Sequence, residues 1–280
     1  MQKVDRLGWA AGWSFQAYGV SFGIRSNDLE ALDWIQPYLP PGTEQTDEPQ
    51  VDYLFSVRTA PTQQKHRNIR GYNLVYRSHI QIYRSLELEK LLAVFENEMD
   101  LLVAEHAPDR IFDHSGVVAY RGRALILPGR THTGKSTLIA ALVRAGASYY
   151  SDEFAILDEA GLVHPFPRRI QLRNPNGQPP TRLQPEEIGG RVGQEPVPVG
   201  MVALCPYRAV KQFRLRAMTH GQAVLGLLNN CVPVRRRPAD SMRVLSQALR
   251  GAAFWKGSRF EADAAARILL DRMEQHPAAM

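Results

Sequence analysis

Between Leu86 and His106, apolar side chains return at helical spacing: Leu88, Leu91, Leu92, Phe95, Met99, Leu102 and Val103. This predicts a long amphipathic helix, ended by Pro108. Ahead of it the pattern alternates. Phe15 to Ile24 and Val51 to Val57 carry the aromatic and β-branched residues of strands, and Tyr72 to Tyr76 with His79 to Tyr83 predicts a hairpin around Arg77-Ser78. Asn27 is placed to cap a helix running to about Gln36, where Pro37 stops it. Pro40-Pro41-Gly42 opens a polar loop reaching Pro49. Residues 1–107 therefore read as a small N-terminal α+β region, and 108–280 as a second domain.

In that second stretch, Ile111 to Tyr120 has the pattern of a strand, and Arg121-Gly122-Arg123 turns the chain back into the apolar run Arg123 to Pro128. Ser136 to Ala145 is free of Pro and Gly, which predicts a helix capped by Gly146. Tyr149 to Leu157 is apolar on both sides of the acidic pair Asp152-Glu153. After Asp158 the chain is rich in Pro, Gly and Arg to about residue 200, a series of loops of the kind often found beside active sites. Strands are expected at Met201 to Leu204 and Phe213 to Met218, and helices at Gly221 to Leu228, Ser241 to Leu249 and Ala262 to Glu274. The fold class is α/β with an α+β tendency.

Between the strand ending at Pro128 and the helix after it stand Gly129, Arg130, Thr131, His132, Thr133, Gly134, Lys135 and Ser136. They fit G-x-x-x-x-G-K-[ST] at every fixed position, and Thr137 follows. Glycines let backbone N–H groups turn inward around phosphates, Lys135 reaches the β/γ oxygens, and Ser136 offers a hydroxyl to Mg²⁺. Strand, loop and helix come in the order that aims a helix N-terminus at an anion. Asp152 is the candidate second metal ligand, and Glu153 the candidate acceptor of a proton from an attacking hydroxyl. His114 lies on a neighbouring strand, where it faces either the γ-phosphate and its acceptor or the core.

Composition narrows the class. A chain of 280 residues, 44% hydrophobic and 22% charged, is that of a globular protein with a substantial core. No apolar run approaches a membrane span, and the N-terminus lacks a basic region followed by an apolar stretch, so a cytoplasmic protein is expected. Cys205 and Cys231 have no metal-ligand spacing and read as ordinary semi-buried thiols. The net charge of +6 is the sum of −4 over residues 1–160 (16 basic, 20 acidic) and +10 over 161–280 (18 basic, 8 acidic). A basic half beside a phosphate loop suits an anionic ligand. No nucleic-acid module is present, and Arg235-Arg236-Arg237 reads as a solvated cluster in a loop, so neither nucleic acid nor membrane is an expected partner.

From His114 through the glycine loop to Ser151-Asp152-Glu153, the sequence resembles the bacterial HPr serine kinase/phosphorylase family, and more nearly its shorter relatives of unassigned substrate. The resemblance is tightest over residues 111–158 and looser from His164-Pro165-Phe166-Pro167-Arg168 onward. It implies a phosphoenolpyruvate-carboxykinase-like P-loop domain with a mixed, largely antiparallel sheet. It also implies ATP and Mg²⁺ as ligands, a hydroxyl-bearing acceptor (small molecule, peptide or protein) and a possible homo-oligomer. His114 matches the family's active-site histidine, Lys135 and Ser136 its loop lysine and metal ligand, and Asp152 the first of two consecutive aspartates. Glu153 stands where the second aspartate accepts the proton, with one methylene more. The family's C-terminal Glu-x-Arg-Gly signature has no good copy here, Glu187-Ile188-Gly189-Gly190-Arg191 being a poor one.

The expected reaction is transfer of the γ-phosphate of ATP to a hydroxyl, with arginines of the basic half neutralising the moving phosphoryl; Arg168, Arg169 and Arg259 are candidates. The alternative is a P-loop module that binds or slowly hydrolyses ATP to switch a partner without phosphotransfer. An ATPase working on nucleic acid is a further rival.

Overall fold

The computed structural model describes residues 3–60, 71–129, 133–174, 178, 180–208, 210 and 212–276. The chain divides into two compact units, Met1–Pro108 and Asp109–Met280.

The first unit is built on β1 (Ala11–Ala17), β2 (Val20–Ser26), α1 (Ala31–Ile35), β3 (Glu44–Thr46), β4 (Tyr53–Arg58), β5 (Asn73–Arg77), β6 (Ile80–Ser85) and α2 (Leu88–His106). Its six strands lie in the order β3-β1-β2-β4-β5-β6, with β2 and β4 parallel and the other neighbours antiparallel. The apolar stripe of α2 is buried, and Phe95 meets Phe55 of β4 edge-on at 5.7 Å. Several expectations shift here. The run Phe15 to Ile24 is a hairpin folded at Tyr18-Gly19. Asn27 caps nothing: its amide receives Thr59 N–H (2.8 Å) and donates to Thr59 O (3.2 Å), because parallel β4 brings that residue alongside. The helix starts at Ala31 instead and ends at Ile35, ahead of Pro37 as expected, and a 3₁₀ turn follows over Gln36–Tyr38. The polar loop contains β3, which pairs with β1, and the hairpin turns at Ser78-His79.

The second unit runs β7 (Ile111–Asp113), β8 (Ser115–Tyr120), β9 (Arg123–Pro128), α3 (Lys135–Arg144), β10 (Ser148–Ser151), β11 (Ala155–Leu157), β12 (Leu162–His164), β13 (Ile170–Leu172), β14 (Thr181–Leu183), β15 (Val197–Leu204), β16 (Arg216–Ala217), α4 (His220–Leu228), α5 (Pro238–Ala248), β17 (Ala253–Lys256) and α6 (Ala262–Gln275). The main sheet follows β10-β8-β9-β15-β12-β11-β7, with β17 beside β15 and β16 beside β17. It is mixed: β15 is parallel to β9 and β17, and the remaining pairs are antiparallel. Strand alternation sends Val118, Leu125, Leu127 and Met201 to one face, under α3 and α6, and Val117, Ile126 and Val202 to the other, under α4 and α5.

The proline-rich stretch is less irregular than expected. It holds β12 within the main sheet, the small pair β13–β14, and a 3₁₀ turn over Pro185–Ile188. Of Phe213 to Met218 only Arg216–Ala217 is strand. Both cysteines are buried rather than semi-buried, and burial pushes the Cys205 thiol up to about 12 and Cys231 to about 11.

Candidate active site

Parallel β9, β15 and β17 end at one edge of the sheet, so the segments that follow them meet there, in the place where open sheets hold ligands. Tyr207 N–H donates to Thr133 O at 3.0 Å, Arg208 N–H to Arg259 O at 3.0 Å, and Arg259 N–H to Pro206 O at 3.1 Å. The glycine loop is therefore stitched to residues 206–208 and 259. Within it Gly134, at φ 78°, is the left-handed residue from which α3 departs, and its carbonyl takes the helix's first bond from Leu138 N–H at 3.1 Å. Gly129, Thr133, Gly134, Lys135 and Ser136 are half-buried and Thr137 is exposed. Arg130, Thr131 and His132 lie outside the described residues.

Lys135 is the first residue of α3, one place earlier than the helix start expected at Ser136. Its stem crosses Gly116 of β8, where a Cβ would come within 3.1 Å of Lys135 Cγ. Its Nζ is buried and has no hydrogen-bond partner among the described residues. Burial lowers the ammonium's pKa, while the nearby charges of Glu153, Asp152 and Asp113 pull the other way. An unpaired ammonium at a helix N-terminus is costly to bury and is suited to an incoming polyanion.

The acidic pair and His114 share one device. The expected strand Ile111 to Tyr120 and the apolar run Tyr149 to Leu157 pair antiparallel in two stretches: Ile111 faces Leu157 and Asp113 faces Ala155, then Val117 faces Ser151 and Ala119 faces Ser148. Each is interrupted, however, at His114 on one side and Asp152 to Phe154 on the other, so the ladder breaks where the candidate chemistry lies. His114 N–H leaves the ladder for Asn230 O (2.9 Å), and its ring packs edge-on against Phe154 at 5.7 Å. The hydroxyl of Ser151 receives both Glu153 N–H (3.1 Å) and Phe154 N–H (2.9 Å), which holds the bend.

Asp152 is 1% exposed. Its carboxylate accepts the Tyr149 hydroxyl at 3.0 Å and Gln171 N–H at 3.4 Å, and the Ser136 side chain lies beside it. Burial raises its pKa; those hydrogen bonds and Lys135 oppose the rise. Glu153 is more open, its side chain 38% exposed, with Oε2 3.8 Å from His114 Nδ1. That pair is not an ion pair at neutral pH, because burial and Lys135 hold His114 down to about 4. A neutral imidazole thus stands beside a half-open carboxylate.

Sequence reading missed Asp113. It is fully buried; Ser115 Oγ–H donates to its Oδ1 in a very short bond, while Oδ2 has no partner among the described residues. Burial raises its pKa to about 7, against the pull of Ser115 and Lys135. The one signal in the sequence was an acidic residue directly after the apolar pair Ile111-Phe112 and beside His114.

The three candidate arginines part company. Arg169 is exposed. Arg168 is buried with its guanidinium 5.6 Å from the Phe166 ring, and its carbonyl receives the Tyr149 hydroxyl at 2.9 Å. Arg259 alone lines the same cleft as Thr133 and Lys135. Glu187 caps its own 3₁₀ turn through Gln184 N–H, so the Glu187 to Arg191 segment serves as a turn. Among the described residues no group of three or more His, Cys, Asp or Glu is placed to hold a metal. Mg²⁺ bound with a nucleotide needs none, since one carboxylate and a hydroxyl suffice beside phosphate oxygens and water. The Ser136–Asp152 contact has that donor chemistry.

No helix of the described residues is long and apolar enough to cross a membrane. No protein-family model matches the chain, and no curated protein matches it. Among solved structures, the HPr(Ser) kinase/phosphatase from Coxiella burnetii is similar at 15% identity, over 59% of this chain and 95% of that one, with a TM-score of 0.30. At that score the likeness transfers no residue roles, and the chemistry rests on the side chains themselves.

Proposed function

We propose that this chain is an ATP-dependent phosphotransferase acting on a hydroxyl of a small molecule, peptide or protein, in the cytoplasm and on a phosphoenolpyruvate-carboxykinase-like P-loop domain. The observation that carries the reading is the buried Lys135 ammonium at the start of α3, without a hydrogen-bond partner among the described residues, next to Ser136 and Asp152 and within the field of three carboxylates. Backbone N–H groups of the loop and Lys135 hold the triphosphate. Mg²⁺, held by Ser136 and Asp152, would neutralise charge on the phosphates when bound. Glu153, the most open carboxylate of the cluster, takes the acceptor's proton as its oxygen bonds to the γ-phosphorus and the bond to the ADP oxygen breaks. His114, neutral, lines the acceptor side without adding charge.

The test is γ-labelled ATP with Mg²⁺, the full chain and a size-fractionated cell extract, with Lys135→Ala as control. Label in an acceptor fraction, absent with Lys135→Ala, is the expected result. Glu153→Gln should leave ATP affinity within about twofold and cut transfer by about a hundredfold or more, the usual scale for a general base. Release of free phosphate alone would instead favour the switch module.

A further inference from the structure

Arg259 is 2% exposed and the largest of the fully buried side chains. Its Nη2 donates to Gly134 O at 2.6 Å and its Nη1 to Phe260 O at 3.1 Å; Nε has no partner among the described residues, and no described carboxylate hydrogen-bonds to it. The Tyr207 ring centroid lies 5.4 Å from the guanidinium carbon. A buried guanidinium satisfied only by carbonyls and a ring is a poor way to fill space, since an apolar side chain of similar volume would cost less.

What it grips explains its presence. The peptide linking Gly134 to Lys135 is planar and trans, so fixing the Gly134 carbonyl fixes the opposite direction of the Lys135 N–H. That N–H is the first of α3 and has no partner within the helix. Gly134 is shaped around the contact as well: a Cβ there would stand 2.3 Å from Arg259 Nη2. The guanidinium is itself anchored, because Arg259 exchanges backbone bonds with Pro206 and Arg208, and Tyr207 bonds to Thr133.

We infer that Arg259 is a positioning residue for phosphate binding: through the Gly134 carbonyl it sets the backbone donor of Lys135 toward the phosphates and places a buried positive charge behind the loop. This rests on the nucleotide reading above. It revises the expected role of Arg259, which braces the loop and does not reach for the transferred phosphoryl.

The experiment is calorimetric titration of the full chain with Mg²⁺-ATP and with inorganic tripolyphosphate, alongside thermal melts without ligand, for wild type, Arg259→Met, Arg259→Gln and Arg259→Lys. Arg259→Met should lose about tenfold or more in affinity for both ligands, the scale of a charged hydrogen bond, while melting no lower than wild type. Arg259→Lys should recover part of the loss. A wild type that binds, with Arg259→Met binding as tightly, overturns the inference alone. A loss of affinity in step with lost stability makes Arg259 merely structural and overturns it too. A wild type that binds neither ligand overturns the nucleotide reading along with it. If Arg259→Met does not fold, Arg259→Gln carries the same comparison.

Discussion

At the scale of single residues, the site contains buried polar atoms that have no hydrogen-bond partner among the described residues. Lys135 Nζ, Asp113 Oδ2 and Arg259 Nε all lie in the second unit, and Lys135 and Arg259 line one cleft. Asp113 has a measurable consequence. Its carboxyl is held at about 7 against an ordinary 3.8, so between those values the native chain keeps a proton that the unfolded chain has lost. Stability from this group is therefore complete at low pH and falls as pH climbs toward 7. Asp113→Asn has no such slope, so its melting temperature relative to wild type should rise steadily from about pH 4 to pH 7 and level off above. His114, held near 4, tilts the curve the other way, but it does so in both proteins and cancels from the difference. A difference that does not change with pH would contradict the burial of an ionisable Asp113. The glycine-loop motif, the acidic pair and His114 were all readable as residue types. Asp113 and the grip of Arg259 on Gly134 were not, because the first depends on burial in the folded chain and the second on a partner more than a hundred residues away.

At the scale of elements, the long strand expected at Ile111 to Tyr120 and the apolar run Tyr149 to Leu157 exist as paths, but each bends where a polar residue leaves the ladder. Periodicity registers the apolar run and is blind to the break, since His114 N–H is claimed by Asn230, more than a hundred residues on. The amphipathic α2 was legible nearly to the residue, because its stripe spans nineteen residues of one helix. β17, by contrast, is four residues long and exists because β15 and β16 flank it. Close approaches are equally hidden. Gly161, in the turn between β11 and β12, has φ +84°, and a Cβ there would lie 2.8 Å from Ala248 Cα of α5. Gly161→Ala should destabilise the chain by roughly 1–3 kcal/mol, read as a lower denaturation midpoint, with nucleotide affinity preserved in the folded fraction.

At the scale of the whole molecule, every side chain placed in the candidate site belongs to the unit Asp109–Met280. A chain of residues 109–280 alone should therefore bind Mg²⁺-ATP within about threefold of the full-length affinity, a difference of under 1 kcal/mol, as measured by calorimetry. Failure of a well-folded 109–280 chain to bind would mean that residues 1–108 complete the nucleotide site. The order of assembly within that unit follows from its parallel strands. The glycine loop is finished by residues 206–208 and by Arg259, which reach it from the ends of β15 and β17. During synthesis the whole phosphate motif leaves the ribosome more than a hundred residues before Arg259 does. The nascent chain then carries a complete motif with an unbraced loop, and nucleotide can template folding only once Arg259 has followed it out.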